Sequence, residues 1–209
     1  FASGSIAANA FSVGGGGAIG QVIVLLAAPV LTRLYTPEEF GVLAVFASII
    51  SALYVSLAGR YELAIPLPAS DLDAAALLAV GASIIGIITT AVTLALWAVG
   101  DSFLRLTNTP EIIPYWWLLP MGLFGAGAYT LVNFWVIRRR AYRIVARTKI
   151  YQNIARVTSQ LGLGALGVGS LGLLIGEVMG RVGGIGSFAT YIYRKDLTLL
   201  SRVTWLRMR

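Results

Sequence analysis

The sequence predicts an all-α integral membrane fold, a six-helix transmembrane bundle, on three observations. Of the 209 residues, 57% are hydrophobic and 12% are charged, about half the charge of a soluble domain at roughly 25%. The apolar residues fall in long runs, near or beyond the roughly 20 residues a spanning helix needs, with short charged segments between them. The basic residues gather on alternate loops, the pattern that sets orientation in a membrane. Lipid cannot satisfy a bare backbone, so a spanning segment is helical. The runs lack the strict alternation of a membrane β-barrel strand. Disorder is excluded, because it needs low hydrophobicity with high net charge.

The first span covers about 8–31. Everything from Phe1 to Thr32 is neutral, and the first charged side chain is Arg33. A signal peptide would carry basic residues ahead of its apolar run, and none stand there. The chain begins at Phe1 and reads as a fragment, or as lacking its first few residues. The second span runs over about 41–58. Pro37 after Thr36, followed by Glu38 and Glu39, is a good start for its helix. The third and fourth spans cover about 74–99 and 115–137. The stretch from Ile154 to Tyr193 is too long for one span and breaks best near Gly167 to Gly172, giving spans at 154–170 and 173–193 joined by a tight turn. The bundle is thus residues 1–193. Residues 194–209 are too polar to span and read either as an in-plane amphipathic helix, with Leu199, Leu200, Val203 and Leu206 at helical spacing, or as a linker. Pro29 and Pro120 lie within spans, where each is expected to remove a backbone hydrogen bond and kink its helix.

With the N-terminus inside, thirteen of the 16 basic residues fall on inner loops and the tail, Arg33 and Arg105 on outer loops, and Arg181 within a span. An even span number then places both termini in the cytoplasm. The net charge of +7 is therefore a topology signal and an attraction to membrane lipid headgroups; no nucleic-acid partner is expected. Trp97, Tyr115, Trp116 and Trp117 cluster at the outer boundary, and Trp135, Tyr142 and Tyr151 lie near the inner one, as an aromatic belt requires.

Chemistry has little to work with. The chain has no Cys and no His, which excludes disulfides, thiolate catalysis, His-based metal sites and Ser-His-Asp triads. Gly14 to Gly17 lacks the Lys of a phosphate-binding loop. The nine acids lie mostly in loops. No enzyme activity, metal or cofactor is expected. Ionisable groups inside the membrane cost about 2.5–3.5 kcal/mol on insertion scales and mark function by default. Glu177 and Arg181, four apart in the sixth span, can pair on one helix face, as a structural ion pair or as part of a substrate path. Arg156, with Asn153 and Gln160, forms a polar stripe entering the fifth span; snorkelling to the interface is the plainer reading of Arg156. Arg60 and Glu62 sit at the inner end of the second span, where Arg60 reads equally as an anchor. Neutral groups such as Asn9, Gln21, Ser48 and Ser51 can face an aqueous cavity or bond between helices. Gly176, Gly180 and Gly184 line one face, which lets another helix approach closely; the competing reading is flexibility during transport.

Three stretches in order carry a resemblance: Pro29 to Gly41 (PVLTRLYTPEEFG), Gly59 to Pro68 (GRYELAIPLP), and the basic loop running into Thr148 to Arg156. Together they resemble the amino-terminal half of the polysaccharide-transporter family. These are Wzx-like flippases within the multidrug/oligosaccharidyl-lipid/polysaccharide exporter (MOP) superfamily. The resemblance implies one lobe of a two-lobed transporter in the bacterial inner membrane, partnered by a second six-helix half. It implies alternating-access transport of undecaprenyl-diphosphate-linked oligosaccharide, for O-antigen, capsule or exopolysaccharide assembly, and a cationic cavity for the diphosphate. Arg33 and Arg60 match positions in the family-like stretches; Arg156, Gln160, Glu177, Arg181 and Glu62 join them on physical grounds as substrate-binding candidates. Other readings are a cation-coupled multidrug antiporter of the same superfamily, a membrane enzyme of polysaccharide assembly and a non-transporting scaffold. The topology makes one prediction. Single cysteines placed between Arg138 and Lys149 should react with impermeant thiol reagents only from the cytoplasmic side, and labelling from the periplasm would overturn the orientation.

Overall fold

The computed structural model describes residues 3–57, 61–105 and 110–195. Among these it is all-helical: α1 (Ser3–Leu34), α2 (Pro37–Leu57), α3 (Asp71–Arg105), α4 (Leu118–Arg138), α5 (Tyr142–Ala165), α6 (Ser170–Val182) and α7 (Ile185–Lys195), with short 3-10 turns at Tyr61–Ala64 and Pro110–Tyr115. Gly183 and Gly184 alone separate α6 from α7, so the chain forms six rods, the last one broken.

The turns show why the rods end where they do. At the start of α2 the Thr36 N–H donates to Glu39 Oε2 at 2.8 Å, and the Glu39 N–H donates back to Thr36 Oγ1 at 3.4 Å. This is a capping box with proline at the first helical position, where its missing N–H costs nothing. α5 ends in a Schellman motif: Gly167 N–H donates to the Gly164 carbonyl at 3.0 Å and Val168 N–H to the Leu163 carbonyl at 3.3 Å, with Gly167 at φ +67°. α4 ends the same way, Arg140 N–H to Ile137 at 2.8 Å and Ala141 N–H to Val136 at 3.1 Å. Here, however, the left-handed position is held by Arg140, at φ +54°, where glycine is the usual occupant.

The core is continuous along the bundle. Phe46 and Ile50 of α2, Leu118 and Leu119 of α4, and Leu174 and Val178 of α6 form its centre. Ala27, Leu31 and Tyr35 pack with Val157 of α5 and Leu173 of α6. At the other end Ile65, Ala74 and Ala75 pack on Leu131 and Trp135, and Phe188 of α7 is fully buried beside Tyr129, Val136 and Val145. The outer surface is apolar: Leu26 is 74% exposed and Trp97 77%, an arrangement suited to acyl chains and not to water. A salt-bridge latch closes the end of α4. Arg138 and Arg139 hold the two oxygens of Asp71 at 2.8 and 2.7 Å, and Arg138 also donates to the Pro68 carbonyl at 2.7 Å, tying the segment after α2 to α4.

Four expectations change. Five helical segments among the described residues are long and apolar enough to cross a membrane; α5 is not one of them. Instead of a span at 154–170, α5 begins at Tyr142, taking Arg143, Arg147, Lys149 and Gln152 into one rod that runs from the α4 turn to the α6 turn. The span expected at 173–193 corresponds to the apolar segment Ser170–Tyr191, long enough to cross, but it is broken into two helices where Gly184 takes φ +94°. Pro120 falls in the first turn of α4, where the backbone N–H has no helical partner to lose, so it removes no bond. Tyr115 and Trp116 pack against the core, leaving Trp97 and Trp117 as the exposed aromatics of that group. The tail reading falls outside the described residues beyond Lys195.

The two Schellman ends predict opposite responses. Arg140→Gly should raise stability by about 0.5–1 kcal/mol, relieving the left-handed strain on a residue with a Cβ, and Gly167→Ala should lower it by a similar amount. Thermal unfolding in detergent micelles reads both.

Candidate functional site

The polarity of α5 organises the site. Lys149, Asn153, Arg156 and Gln160 recur at helical spacing on one side of α5, and α1 and α6 close over that side. The contacts of α1 advance along both helices together, Gly16 meeting Ala146, Gly20 meeting Lys149 and Asn153, and Tyr35 meeting Gly164; α1 and α5 therefore run parallel. The contacts of α6 run the other way: Gly176 meets Gln160, and Gly180 meets Arg156. Glycine is needed at these points. A Cβ on Gly180 would stand 2.9 Å from Arg156 Nε and 3.1 Å from Arg156 Cβ. The notches admit long polar side chains as well as a close backbone.

An open cavity of about 430 Å³ lies between the three helices, lined by Gln21 of α1, Lys149, Asn153 and Arg156 of α5, and Glu177 and Arg181 of α6. At 1.5 Å per residue, Lys149 and Arg156 stand roughly 10 and 21 Å along α5 from its start. The cavity thus occupies the half of the bundle nearest the basic α4–α5 turn. Its centre is a triad. Glu177 Oε2 lies 3.0 Å from Arg156 Nη2, and Glu177 Oε1 lies 3.0 Å from Arg181 Nη2 and accepts from Arg181 Nε at 3.1 Å. The side chain of Glu177 is 7% exposed, that of Arg181 18% and that of Arg156 34%, so the carboxylate is the most deeply seated member and Arg156 reaches furthest outward. Lys149 Nζ stands 5.3 Å over the Tyr129 ring, a cation–π contact. Gln152 and Asn153 add neutral polar groups. The arrangement can bind an anion with several oxygens, because each guanidinium fork has five donors and Glu177 engages only part of each.

The predicted candidates separate into groups. Arg156, Glu177 and Arg181 come together in the cavity. Gln160 lies beside it, 4% exposed, its Nε2 donating to the Leu173 carbonyl at 3.4 Å while its backbone carbonyl accepts from Tyr35 Oη at 2.6 Å. It supports the α1–α5–α6 junction. Burial, and then the Glu39 carboxylate, pushes the Tyr35 phenol above its ordinary range, so it stays a donor. Glu62 is buried far along the chain and accepts from Tyr54 Oη at 3.1 Å. Arg33 is exposed at the opposite end of α1, where a cation suits the helix C-terminus. Arg60 lies outside the described residues, as does the side chain of Asn9. Ser51 donates to its own helix at Ala47, 2.7 Å away, and does not face the cavity.

Lys149 is a site component beyond the sequence-predicted candidates; of the neutral groups that could face a cavity or bond between helices, Gln21 lines this one, as does Gly180 of the glycine face. By hydropathy alone Lys149 reads as an inner-loop topology charge. The signal that finds it is its spacing: 149, 153, 156 and 160 form a single helical stripe once α5 is allowed to begin before the apolar run.

The glycine notch is testable. Gly180→Ala should force Arg156 off Glu177 and cost about 1–3 kcal/mol. Gly162→Ala, on the same bundle but with nothing within 4 Å of the added methyl, should be neutral or stabilise by about 0.5–1 kcal/mol through helix propensity. Thermal unfolding of the two variants in micelles gives the contrast.

Comparison with known proteins gives one match and two negatives. No curated protein matches the chain, and no solved structure does. The model of the family described as polysaccharide biosynthesis protein matches residues 30–204, from the end of α1 through the triad and beyond α7, in accord with the Wzx-like resemblance. The chain belongs to this polysaccharide biosynthesis protein family, and its helical bundle is a membrane member's fold.

Proposed function

We propose that the chain is one lobe of a transporter that moves a diphosphate-linked, lipid-borne oligosaccharide across the bacterial inner membrane by alternating access, with a second six-helix half as partner and no bond made or broken. The observation that carries this reading is the cavity: two guanidiniums and an ammonium gathered within a bundle whose outer surface is apolar. A diphosphate cannot cross hydrocarbon bare, whereas Arg forks bind phosphate oxygens bidentately. In this reading Arg156, Arg181 and Lys149 receive the diphosphate, Gln21, Gln152 and Asn153 meet the first sugar, and the polyprenyl chain stays among the lipid tails outside α1. By the basic-residue rule the cavity opens toward the cytoplasm, where both termini lie and where the cargo would load. Rocking of this bundle against its partner then switches access.

A cation-coupled antiporter of the same superfamily would need an acid free to hold the cation. Glu177 is the buried acid in the cavity, and two guanidiniums already occupy its oxygens, which favours the anion reading.

Transport of a fluorescent lipid-linked sugar into vesicles, with the second half co-expressed, tests the proposal. Arg156→Ala and Arg181→Ala should each lower transport by about tenfold or more, the loss expected for a charge-assisted contact to phosphate, with protein level unchanged. Arg33→Ala, at the far end of α1, should lose much less. The reverse order would move the binding site out of this cavity.

A further inference from the structure

Glu177 has no obvious place in a site for anions. A carboxylate repels a diphosphate, and a buried ion pair is weak evidence for stability, since well-packed apolar residues often serve as well. Yet Glu177 is the least exposed member of the triad and touches both guanidiniums at 3.0 Å. Gly180 is shaped to let one of them reach it.

We infer that Glu177 is an internal counter-ion that competes with the cargo: it occupies Arg156 and Arg181 in the empty site and takes them back when the diphosphate leaves. The inference rests on the proposed diphosphate site and assigns its release step. Arg156, Arg181 and Lys149 carry three positive charges and Glu177 one negative, so the empty cavity holds a net +2. The other polar lining groups, Gln21, Gln152 and Asn153, are neutral. Without Glu177 the cavity would hold +3 and two guanidiniums facing each other. Such a site attracts a diphosphate more strongly and has nothing to replace it on departure. A conducting or transporting site must bind well enough to load and weakly enough to unload. A built-in carboxylate meets the second condition without moving the cations. It also lowers the anionic charge the site prefers, because desolvation of the ligand rises steeply with its charge while attraction rises with the charge of the site. A sugar-linked diphosphate diester, with two negative charges, is thereby favoured relative to a bare prenyl diphosphate, which carries up to three.

The sign of one effect decides between this role and a merely structural one. If Glu177 only braces the two arginines, its loss frees them and weakens binding. If it competes, its loss strengthens binding. The full chain in micelles is titrated with farnesyl diphosphate and with a short-prenyl diphospho-N-acetylglucosamine. Glu177→Gln should bind both on the order of tenfold tighter, with the larger gain for farnesyl diphosphate, and should lower both KM and kcat of transport when the partner half is present. Adding Lys149→Gln returns the cavity to +2 and should bring both affinities back toward wild type. Glu177→Asp withdraws the carboxylate by one methylene and should shift binding in the same direction by a smaller factor, which keeps the test alive if the Gln variant does not fold. Unchanged or weaker binding in Glu177→Gln, or in Glu177→Asp where Gln fails to fold, overturns the inference and leaves the diphosphate site standing. Wild-type protein that binds neither probe overturns the site itself.

Discussion

A rod with cationic and amide side chains along one side cannot stand in lipid unless its neighbours cover that side. This requirement on α5 accounts for much of the rest. α1 and α6 must both come within backbone distance, and both carry glycine where they touch it: Gly16 and Gly20 on α1, Gly176 and Gly180 on α6. In lipid the hydrophobic effect does not draw helices together, so close packing and polar contacts must do so. Here the two coincide. The notch that removes a Cβ at Gly180 also gives Arg156 a path to Glu177, and the one at Gly176 makes room for the Gln160 side chain, which donates to the Leu173 carbonyl. Tyr35 completes the seal at the far end, its ring against Gly164 and Gly172 and its hydroxyl on the Gln160 carbonyl.

Charge is handled differently along the axis. At the α4 end Asp71, 41% exposed, ties down Arg138 and Arg139; water reaches this latch, so each pair contributes little alone, and its value lies in fixing the segment from Pro66 to Asp71 against α4. Inside the cavity the Glu177 carboxylate is nearly out of reach of solvent, and two guanidiniums share it, so removing one leaves it paired with the other; only the loss of both would leave an unpaired buried charge, at about 3–5 kcal/mol. Hydroxyls are settled more simply. Ser83, Thr90, Thr93 and Thr130 each donate to the carbonyl four residues back in their own helix, at 2.7–2.9 Å, and place no demand on a neighbour.

Much of this was legible in the sequence because it depends on local rules. Thr36-Pro37-Glu38-Glu39 reads as a helix start from residue types alone, and Gly167 as a stop. The Glu177–Arg181 pairing follows from helical spacing. The glycine face of the sixth rod announces a close neighbour. What spacing cannot show is which neighbour: that α5 lies there, and that Arg156 crosses to share the same carboxylate, is a matter of tertiary packing. The start of α5 is hidden in the sequence because apolarity is the mark by which a membrane rod is recognised. Residues 142–153 fail that criterion, being shielded by protein on one side and not by their own composition. Pro120 misled for a related reason, since a proline is a kink or a harmless first-turn residue depending on where the helix begins, and the short 3-10 turn at Pro110–Tyr115 moved that beginning to Leu118.

The break between α6 and α7 follows from the same geometry. Arg181 must sit one turn after Glu177 to share its carboxylate, and the helix that carries both need go no further. Gly183 departs from helical geometry at ψ 130°, and Gly184 follows at φ +94°, a combination that an L side chain at Gly184 would resist. The chain then starts a new helix whose Phe188 is fully buried against Tyr129 and Val145. Tyr129 is also the ring beneath Lys149, and its hydroxyl lies 3.3 Å from Thr148 Oγ1. The two halves of the broken rod therefore hold the same stretch of α5 from different directions, α6 through the arginine–glutamate triad and α7 through the tyrosine that supports the lysine. A continuous helix would carry α7 straight on along the axis of α6. The two glycines turn it instead onto α4 and α5, so the ring beneath Lys149 is packed by a segment that sequence hydropathy treats as the end of a span.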